Sequence, residues 1–292
     1  MTARIIDGNA IAAEVRAEVA NEVAALVAAG RRPPHLTAVL VGEDAASATY
    51  VRLKHRDCDE VGMTSSTESL PISTTQAELI DLIHHLNSAD SIDGVIIQKP
   101  IPSNIDDALI DATLSPLKDA DGLGPTSLGL LVQGQPGFVP ATPAGIQQLL
   151  IRSGIDPAGQ HVVIVGRSTL VGRPLSLLLS TKAPGANATV TIAHTGTADL
   201  GAITRSADIL VAAAGRLDLI TADMVRPGAV VIDVGTNRVD DPTKRTGYHL
   251  AGDVDFESVK EIASSITPVP GGVGPMTRAM LLVNTLKAAK AE

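Results

Sequence analysis

The sequence predicts an α/β protein of two α/β domains, with a C-terminal helix that returns to the first. Three observations predict it. At 292 residues the chain is long for a single core and suits two of ordinary size. Short apolar runs alternate with longer helical stretches in both halves, the order that builds parallel sheets with helices packed outside. The second half opens on a glycine-punctuated turn between a strand and a helix, Val163-Ile-Val-Gly166-Arg-Ser-Thr-Leu-Val-Gly172-Arg-Pro174.

Taken in order, residues 9–29 interleave Ala, Val and Glu with no breaker and read as an amphipathic helix closed by Gly30. Leu36 to Val41 is a continuous apolar run ended by Gly42, a strand. A helix follows from Asp44 to Val61, a Thr/Ser-rich strand from Met63 to Leu70, a helix over 75–88 and a buried strand from Asp93 to Gln98. Pro100, Pro102, Pro116 and Pro125 break the chain into loops over about 99–126. A helix near 143–153 bridges into the second unit, whose strands are expected at 161–165, 188–193, 207–213 and 229–234. The expected division is 1–140 with 275–292 for the first domain and 141–274 for the second.

Composition excludes several classes. A net charge of −9 argues against phosphate-backbone binding as the main activity, so no nucleic-acid partner is expected. One cysteine, Cys58, rules out an intrachain disulfide and a multi-cysteine metal site. The seven histidines include no His-x-x-x-His pair, and no metal is expected. No apolar signal region and no apolar run of membrane length occurs, so a cytoplasmic protein without a membrane partner is expected.

The turn after Val165 stands where a dinucleotide would place its pyrophosphate, at a helix N-terminus. Its spacing is not the generic G-x-G-x-x-G, and alone it is a weak signal. The next strand runs into His194-Thr195-Gly196-Thr197, with no carboxylate to hold a ribose 2′-hydroxyl. With Arg167 and Arg173 near in sequence, a 2′-phosphate fits better, which favours NADP over NAD. Elsewhere, Tyr50 and Lys54 lie four apart on a helix and share a face. Lys118-Asp119-Ala-Asp121-Gly122 puts carboxylates in the proline-rich region, where such pairs more often sit in solvated turns. Near the end, Pro268 to Pro275 packs three prolines and three glycines into eight residues ahead of an apolar helix. Such a loop presents backbone N–H groups rather than a strand.

That last string, Thr267-Pro-Val-Pro-Gly-Gly-Val-Gly-Pro-Met-Thr277, resembles the signature of the methylenetetrahydrofolate dehydrogenase/cyclohydrolase family of one-carbon folate metabolism. So do the segments Tyr50-Val-Arg-x-Lys54-x-x-x-Cys58-x-x-x-Gly62, Gly166-Arg167-Ser168 with Val171-Gly172-x-Pro174, and Val231-Ile-Asp-Val-Gly235-x-Asn237. The resemblance spans about Asp7 to Thr285. It implies a Rossmann-like NADP-binding second domain, an active cleft between domains and a homodimer.

It further implies catalytic roles for Lys54, Gln98, Asp121 and Tyr50: Lys54 working on the one-carbon bridge, Gln98 orienting it, Asp121 meeting the pterin, Tyr50 packing on the aminobenzoyl ring. Ile97, Lys99 and Pro270, Gly271, Gly272, Val273, Gly274, Pro275, Met276 and Thr277 would complete the folate site. Gly166, Arg167, Ser168, Gly172, Arg173, Thr195 and Thr236 would meet NADP. Cys58 reads as core, and Asp233 as a structural carboxylate at a strand end.

The chain departs from the family pattern at Lys99, Leu123, Ala141 and Thr236. At Lys99 two geometries are open. An extended strand end sends Gln98 and Lys99 to opposite faces, with Lys99 reaching solvent or a glutamate tail. A turn at Pro100 instead brings Lys99 toward Lys54, whose pKa it would depress. The activities expected are NADP-dependent oxidation of the methylene-folate and hydrolysis of the methenyl product to the formyl-folate. A dehydrogenase with weakened cyclohydrolase and a non-catalytic nucleotide-binding paralogue are the alternatives.

Overall fold

The computed structural model describes residues 2–42, 45–244 and 247–291. In chain order the elements are β1 (Arg4–Ile5), α1 (Gly8–Ala28), β2 (His35–Val41), α2 (Ala45–Glu60), β3 (Thr64–Leu70), α3 (Gln76–Ser88) and β4 (Gly94–Ile97). Then come α4 (Asp107–Thr113), α5 (Pro125–Val132), α6 (Ala141–Arg152), β5 (His161–Val165), α7 (Gly172–Ser180), β6 (Thr189–Ala193), α8 (Leu200–Thr204) and β7 (Ile209–Ala212). A 3-10 turn at Ala222–Met224 precedes β8 (Val230–Asp233), β9 (Asn237–Asp240), β10 (Tyr248–Ala251), α9 (Phe256–Val259), β11 (Ser265–Ile266) and α10 (Val273–Ala291). The expected start of α2 at Asp44 lies outside the described residues.

The chain divides into two units. One comprises Met1–Ala12 and Thr142–Thr277, the other Ala13–Ala141 and Arg278–Glu292. The expected division put residues 1–12 with the other domain. They belong with 142–277 because β1 pairs in parallel with β11, Arg4 opposite Ser265 and Ile5 opposite Ile266.

The smaller sheet, in the unit of 13–141, has the order β3-β2-β4 and is wholly parallel. β2 and β4 are apolar and buried, as strands covered on both faces must be. β3 is polar, and the structure shows why this is tolerated. It is an edge, and its hydroxyls bond histidines: His55 meets Ser65 and Thr67, and His35 meets Thr64 and Ser66. α3 starts in a capping box, with Thr75 accepting from the Glu78 N–H and Glu78 accepting from the Thr75 N–H.

The larger sheet has the order β1-β11-β8-β7-β5-β6, parallel throughout. β5, β7 and β8 are buried along nearly their whole length, and Val163, Leu210, Val231 and Ile266 belong to one core beneath them. Two expectations need correction. The region 99–126 is not all loop, because α4 is capped by the Asp106 carboxylate and α5 begins on Pro125, where a missing N–H costs nothing. A two-stranded antiparallel ribbon, β9 with β10, lies outside the large sheet and was not expected. Among the described residues no helix is long and apolar enough to cross a membrane, and no group of acidic, His or Cys side chains is arranged to hold a metal ion.

Candidate active site

In the unit of 13–141, three segments converge on Lys54. α2 carries Tyr50 and Lys54 one turn apart, both half-buried. Gln98 follows directly on β4, and its Oε1 accepts a 2.9 Å hydrogen bond from Lys54 Nζ. The Gln98 amide is fixed at its other end, where Nε2 donates to the Lys99 carbonyl at 2.8 Å. Ile97 is buried at the end of β4.

The third segment is 118–121, which runs beside β4 as a single parallel bridge between Val95 and Asp119. Asp121 therefore emerges level with the end of that strand. The motif divides its labour. Lys118 donates to the carbonyls of Leu86 and Ala89, closing the end of α3. Asp119 is buried and accepts from the N–H groups of Gly122, Leu123 and Gly124 and from the Ser127 hydroxyl, so it builds the turn. The Asp121 carbonyl accepts from the Ala141 N–H at 3.2 Å, while its carboxylate has no hydrogen bond among the described residues and faces Lys54 electrostatically. It borders a small cavity with Lys99, Asp111, Asp119, Leu123 and Gly124.

Both titrating groups are pushed toward neutrality. Burial lowers the Lys54 pKa, Asp121 opposes this, and the Arg278 guanidinium adds to the lowering. Burial raises the Asp121 pKa, Lys54 opposes it, and Asp119 and Asp111 add to the rise. A lysine poised this way gives up and takes back a proton more readily than a surface lysine. Cys58, one turn beyond Lys54, is fully buried with its thiol pushed up to about 12, and it is core.

Lys99 is paired with α4: its ammonium lies 3.0 Å from Asp107 Oδ1 and 3.2 Å from Asp111 Oδ1. It is among the residues lining the small cavity that Asp121 borders, and it is not among the charges acting on Lys54. Arg278 escaped sequence reasoning altogether. Its Nε donates to the buried Asp57 at 2.5 Å, and no local pattern links residues 221 apart.

In the other unit, β5 ends at Gly166, whose φ of +138 disfavours any side chain. A Cβ on Gly166 would run into the Ala213 carbonyl, and one on Gly172 into the Gly166 carbonyl. Backbone thus crosses backbone at the start of α7, leaving an open cradle. Ser168 closes the turn by accepting from the Val171 N–H and, through its carbonyl, from the Arg173 N–H. We expect Gly172→Ala to lose about 1–3 kcal/mol of stability through overpacking, read by urea unfolding.

Arg167 and Arg173 are exposed beside the cradle, and Arg167 Nη1 lies 3.4 Å from His194 Nε2. Thr195 is exposed in the turn after β6, where Thr197 accepts from the His194 N–H. The nearest carboxylate, Asp199, is spent as the cap of α8. Thr236 is exposed after β8, in a loop that Asp233 anchors by accepting from the N–H groups of Gly235, Asp253 and Val254. Burial pushes the Asp233 carboxyl up to about 6, and its bonds mark it as structural.

The loop 267–277 also lies in this unit. A Cβ on Gly8 would strike the Gly272 carbonyl, so the loop is pressed against the start of α1. Pro270 is exposed, and Gly271, Gly274 and Thr277 are half-buried. Gly272, Val273, Pro275 and Met276 are buried, so they shape the loop rather than offer a surface. Thr277 meets Thr142 at 3.0 Å between hydroxyls.

A backbone cradle after a parallel strand in one unit, and a lysine–amide–carboxylate set in the other, define an α/β enzyme of the dinucleotide-dependent class. Residues 6–121 match the tetrahydrofolate dehydrogenase/cyclohydrolase catalytic domain, and 140–292 the NAD(P)-binding domain of the same enzymes. The chain belongs to the tetrahydrofolate dehydrogenase/cyclohydrolase family. It is 53% identical to the Bifunctional protein FolD of Salinibacter ruber over 288 residues, covering 99% of this chain and 96% of that protein. It is 52% identical to that of Rhodopirellula baltica over 301 residues, covering 99% and 98%. Among solved structures, the bifunctional FolD dehydrogenase/cyclohydrolase of Campylobacter jejuni superposes with a TM-score of 0.92 at 43% identity, covering 98% of each chain. The Trypanosoma brucei enzyme, complexed with NADP cofactor and inhibitor, gives 0.94 at 39%, covering 100% of this chain and 98% of that one.

Proposed function

We infer that the protein oxidises methylenetetrahydrofolate with NADP and hydrolyses the methenyl product to 10-formyltetrahydrofolate, a one-carbon donor of the kind purine synthesis consumes. The observation that carries this is the Lys54–Gln98 hydrogen bond facing Asp121, in a family whose relatives are bifunctional.

The cofactor, when bound, takes the hydride from the one-carbon bridge. The chain's residues fit it: the Gly166–Gly172 crossing leaves backbone room for a pyrophosphate at the start of α7, and Arg167, Arg173 and Thr195 are exposed beside it. Ser168 and Thr236 stand at the rims of the same strand ends. In the folate site the Asp121 carboxylate, with no side-chain bond among the described residues, accepts from the pterin, and Tyr50 offers its ring to the aminobenzoyl group. In the other unit, Pro270, Gly271, Gly274 and Thr277 are the accessible part of the 267–277 loop and the part able to touch a ligand.

In the hydrolytic step water adds to the methenyl carbon, and the carbon–nitrogen bond to the ring breaks. Neutral Lys54 takes the water proton while Gln98 Oε1 holds the resulting ammonium, which then returns a proton to the departing nitrogen, and the adduct's hydroxyl proton passes to solvent as the formyl C=O forms. By the same family reading the working form is a cytoplasmic homodimer, which sedimentation at micromolar concentration tests.

Absorbance tests the reaction directly. Methenyl-folate forming with NADP and then decaying is expected; accumulation without decay would leave a dehydrogenase alone, and no signal would end the proposal. NADP should exceed NAD in kcat/KM by at least about ten-fold, since charge-assisted contacts to a 2′-phosphate are worth on the order of 1.5–3 kcal/mol each. Equal values would mean that Arg167 and Arg173 point elsewhere.

A further inference from the structure

We propose that Lys99, clamped by Asp107 and Asp111 of α4, is a positioning residue that holds the Gln98 amide in the one orientation able to accept from Lys54. The inference rests on the cyclohydrolase reading above. Gln98 has two ends that must be told apart: Oε1 to accept from an ammonium, Nε2 to donate. Oε1 takes the Lys54 ammonium at 2.9 Å, and Nε2 gives its hydrogen to the carbonyl of Lys99 at 2.8 Å. That carbonyl therefore decides which way the amide faces. If it moves, the amide loses its anchor and turns freely about its last torsion.

The Lys99 residue that owns this carbonyl lies beyond the end of β4, one past the Gln98 N–H to Val39 carbonyl bond, and among the described residues no ladder bond holds it. Its side chain supplies the hold. Nζ reaches Asp107 Oδ1 at 3.0 Å and Asp111 Oδ1 at 3.2 Å, residues one turn apart on a single face of α4. Asp107 is largely exposed, at 65%, while Asp111 is 28% exposed, so Asp111 is the stronger anchor of the two. An apolar side chain at this position could not make this clamp. The chain thus ties a helix that takes no part in the chemistry to the orientation of its catalytic lysine.

The groups acting on Lys54 are Asp121 beside β4, Arg278 on α10 and Cys58 on α2, with Gln98 as its hydrogen-bond partner. Lys99 acts on Asp121 and Asp111 instead, lowering the pKa of each. Removing its charge therefore leaves Asp121 more readily protonated, and the Lys54 ammonium loses support from both Gln98 and Asp121. Both changes lower the pKa of Lys54. A direct repulsion between Lys99 and Lys54, relieved by the same substitution, would raise it.

The experiment measures both half-reactions from pH 6 to 10 for wild type, Lys99→Leu, Lys99→Arg and Asp111→Asn. The cyclohydrolase kcat of Lys99→Leu should fall at least five-fold further than its dehydrogenase kcat, with its pH profile displaced downward. Asp111→Asn should lower the cyclohydrolase-to-dehydrogenase ratio in the same direction by a smaller amount, without the downward displacement, because losing the Asp111 charge favours ionised Asp121, and Lys99→Arg should restore the ratio to within two-fold of wild type. If Lys99→Leu does not fold, Asp111→Asn and Lys99→Arg still decide the case. An unchanged ratio in Lys99→Leu and Asp111→Asn, an upward shift in Lys99→Leu, or both rates falling in proportion would overturn the proposal. Wild type lacking cyclohydrolase activity would instead overturn the functional reading on which it stands.

Discussion

Lys54→Met is expected to reduce cyclohydrolase activity by more than about a hundred-fold while the fold and NADP binding survive. General acid–base catalysis by a placed side chain contributes about 10²–10⁴-fold, and Lys54 is the one amine bonded to Gln98 and set against Asp121. Methionine matches the lysine stem closely in length and is apolar, so the half-buried site stays filled. Asp121 loses its counter-charge, and its already raised pKa rises further, so it takes a proton rather than remaining an isolated buried charge. The cradle for the cofactor lies in the other unit and is untouched. Linkage gives a second readout. The folded-state pKa of Lys54 is lowered below 10.5, so the unfolded chain binds more protons between those two values. Stability contributed at Lys54 therefore grows as pH rises through that window, and the variant should lose this slope in alkaline melts. Hydrolysis retained above a tenth of the wild-type rate would remove Lys54 from the mechanism.

What the sequence made legible is what near neighbours determine. β5, β7 and β8 are continuous apolar runs because both faces of a parallel sheet are covered, and such runs announce themselves. The Gly166–Gly172 turn is visible because only glycine lets two backbones cross there. Lys54, Gln98 and Asp121 were picked out by short strings, not by any physical sign, since a lysine on a helix and an aspartate in a turn are ordinary. The misses are of another kind. α4 and α5 are short and lie among prolines, so periodicity had too few residues to show itself. β1 and β11 are two residues each and exist only because 4–5 and 265–266 meet. Asp119 resembles Asp121 in sequence, and only the fold shows the Asp119 carboxylate spent on four bonds and the Asp121 carboxylate set against Lys54. The partners of Lys99, Asp107 and Asp111, lie on α4, which is itself one of the unexpected helices.

Arg278→Leu is expected to cost about 3–5 kcal/mol of stability and to move the cyclohydrolase pH profile upward. Asp57 on α2 is fully buried, and the Arg278 guanidinium on α10 meets it at 2.5 Å with only 11% of its own side chain exposed. Removing one partner of such a pair leaves an uncompensated charge, which costs far more than the intact pair contributes. Arg56 also reaches Asp57, at 3.3 Å, but it is 64% exposed and screened, so the loss should fall toward the lower end of that range. The charge itself can be tested: adding Asp57→Asn to Arg278→Leu should recover most of the loss, because no buried carboxylate is then left unpaired. Catalysis reads the same change differently. Arg278 is a cation that lowers the Lys54 pKa, so its removal raises that pKa and leaves less neutral amine at a given pH. The amine-dependent limb of the hydrolysis profile must then move to higher pH, in the double variant as well, whereas a purely structural loss would scale the profile without displacing it. Denaturant melts and pH profiles of the wild type and the two variants decide between these. A single variant within about 1 kcal/mol of wild type would show that Arg56 alone satisfies Asp57, and an undisplaced profile would show that Lys54 does not sense Arg278.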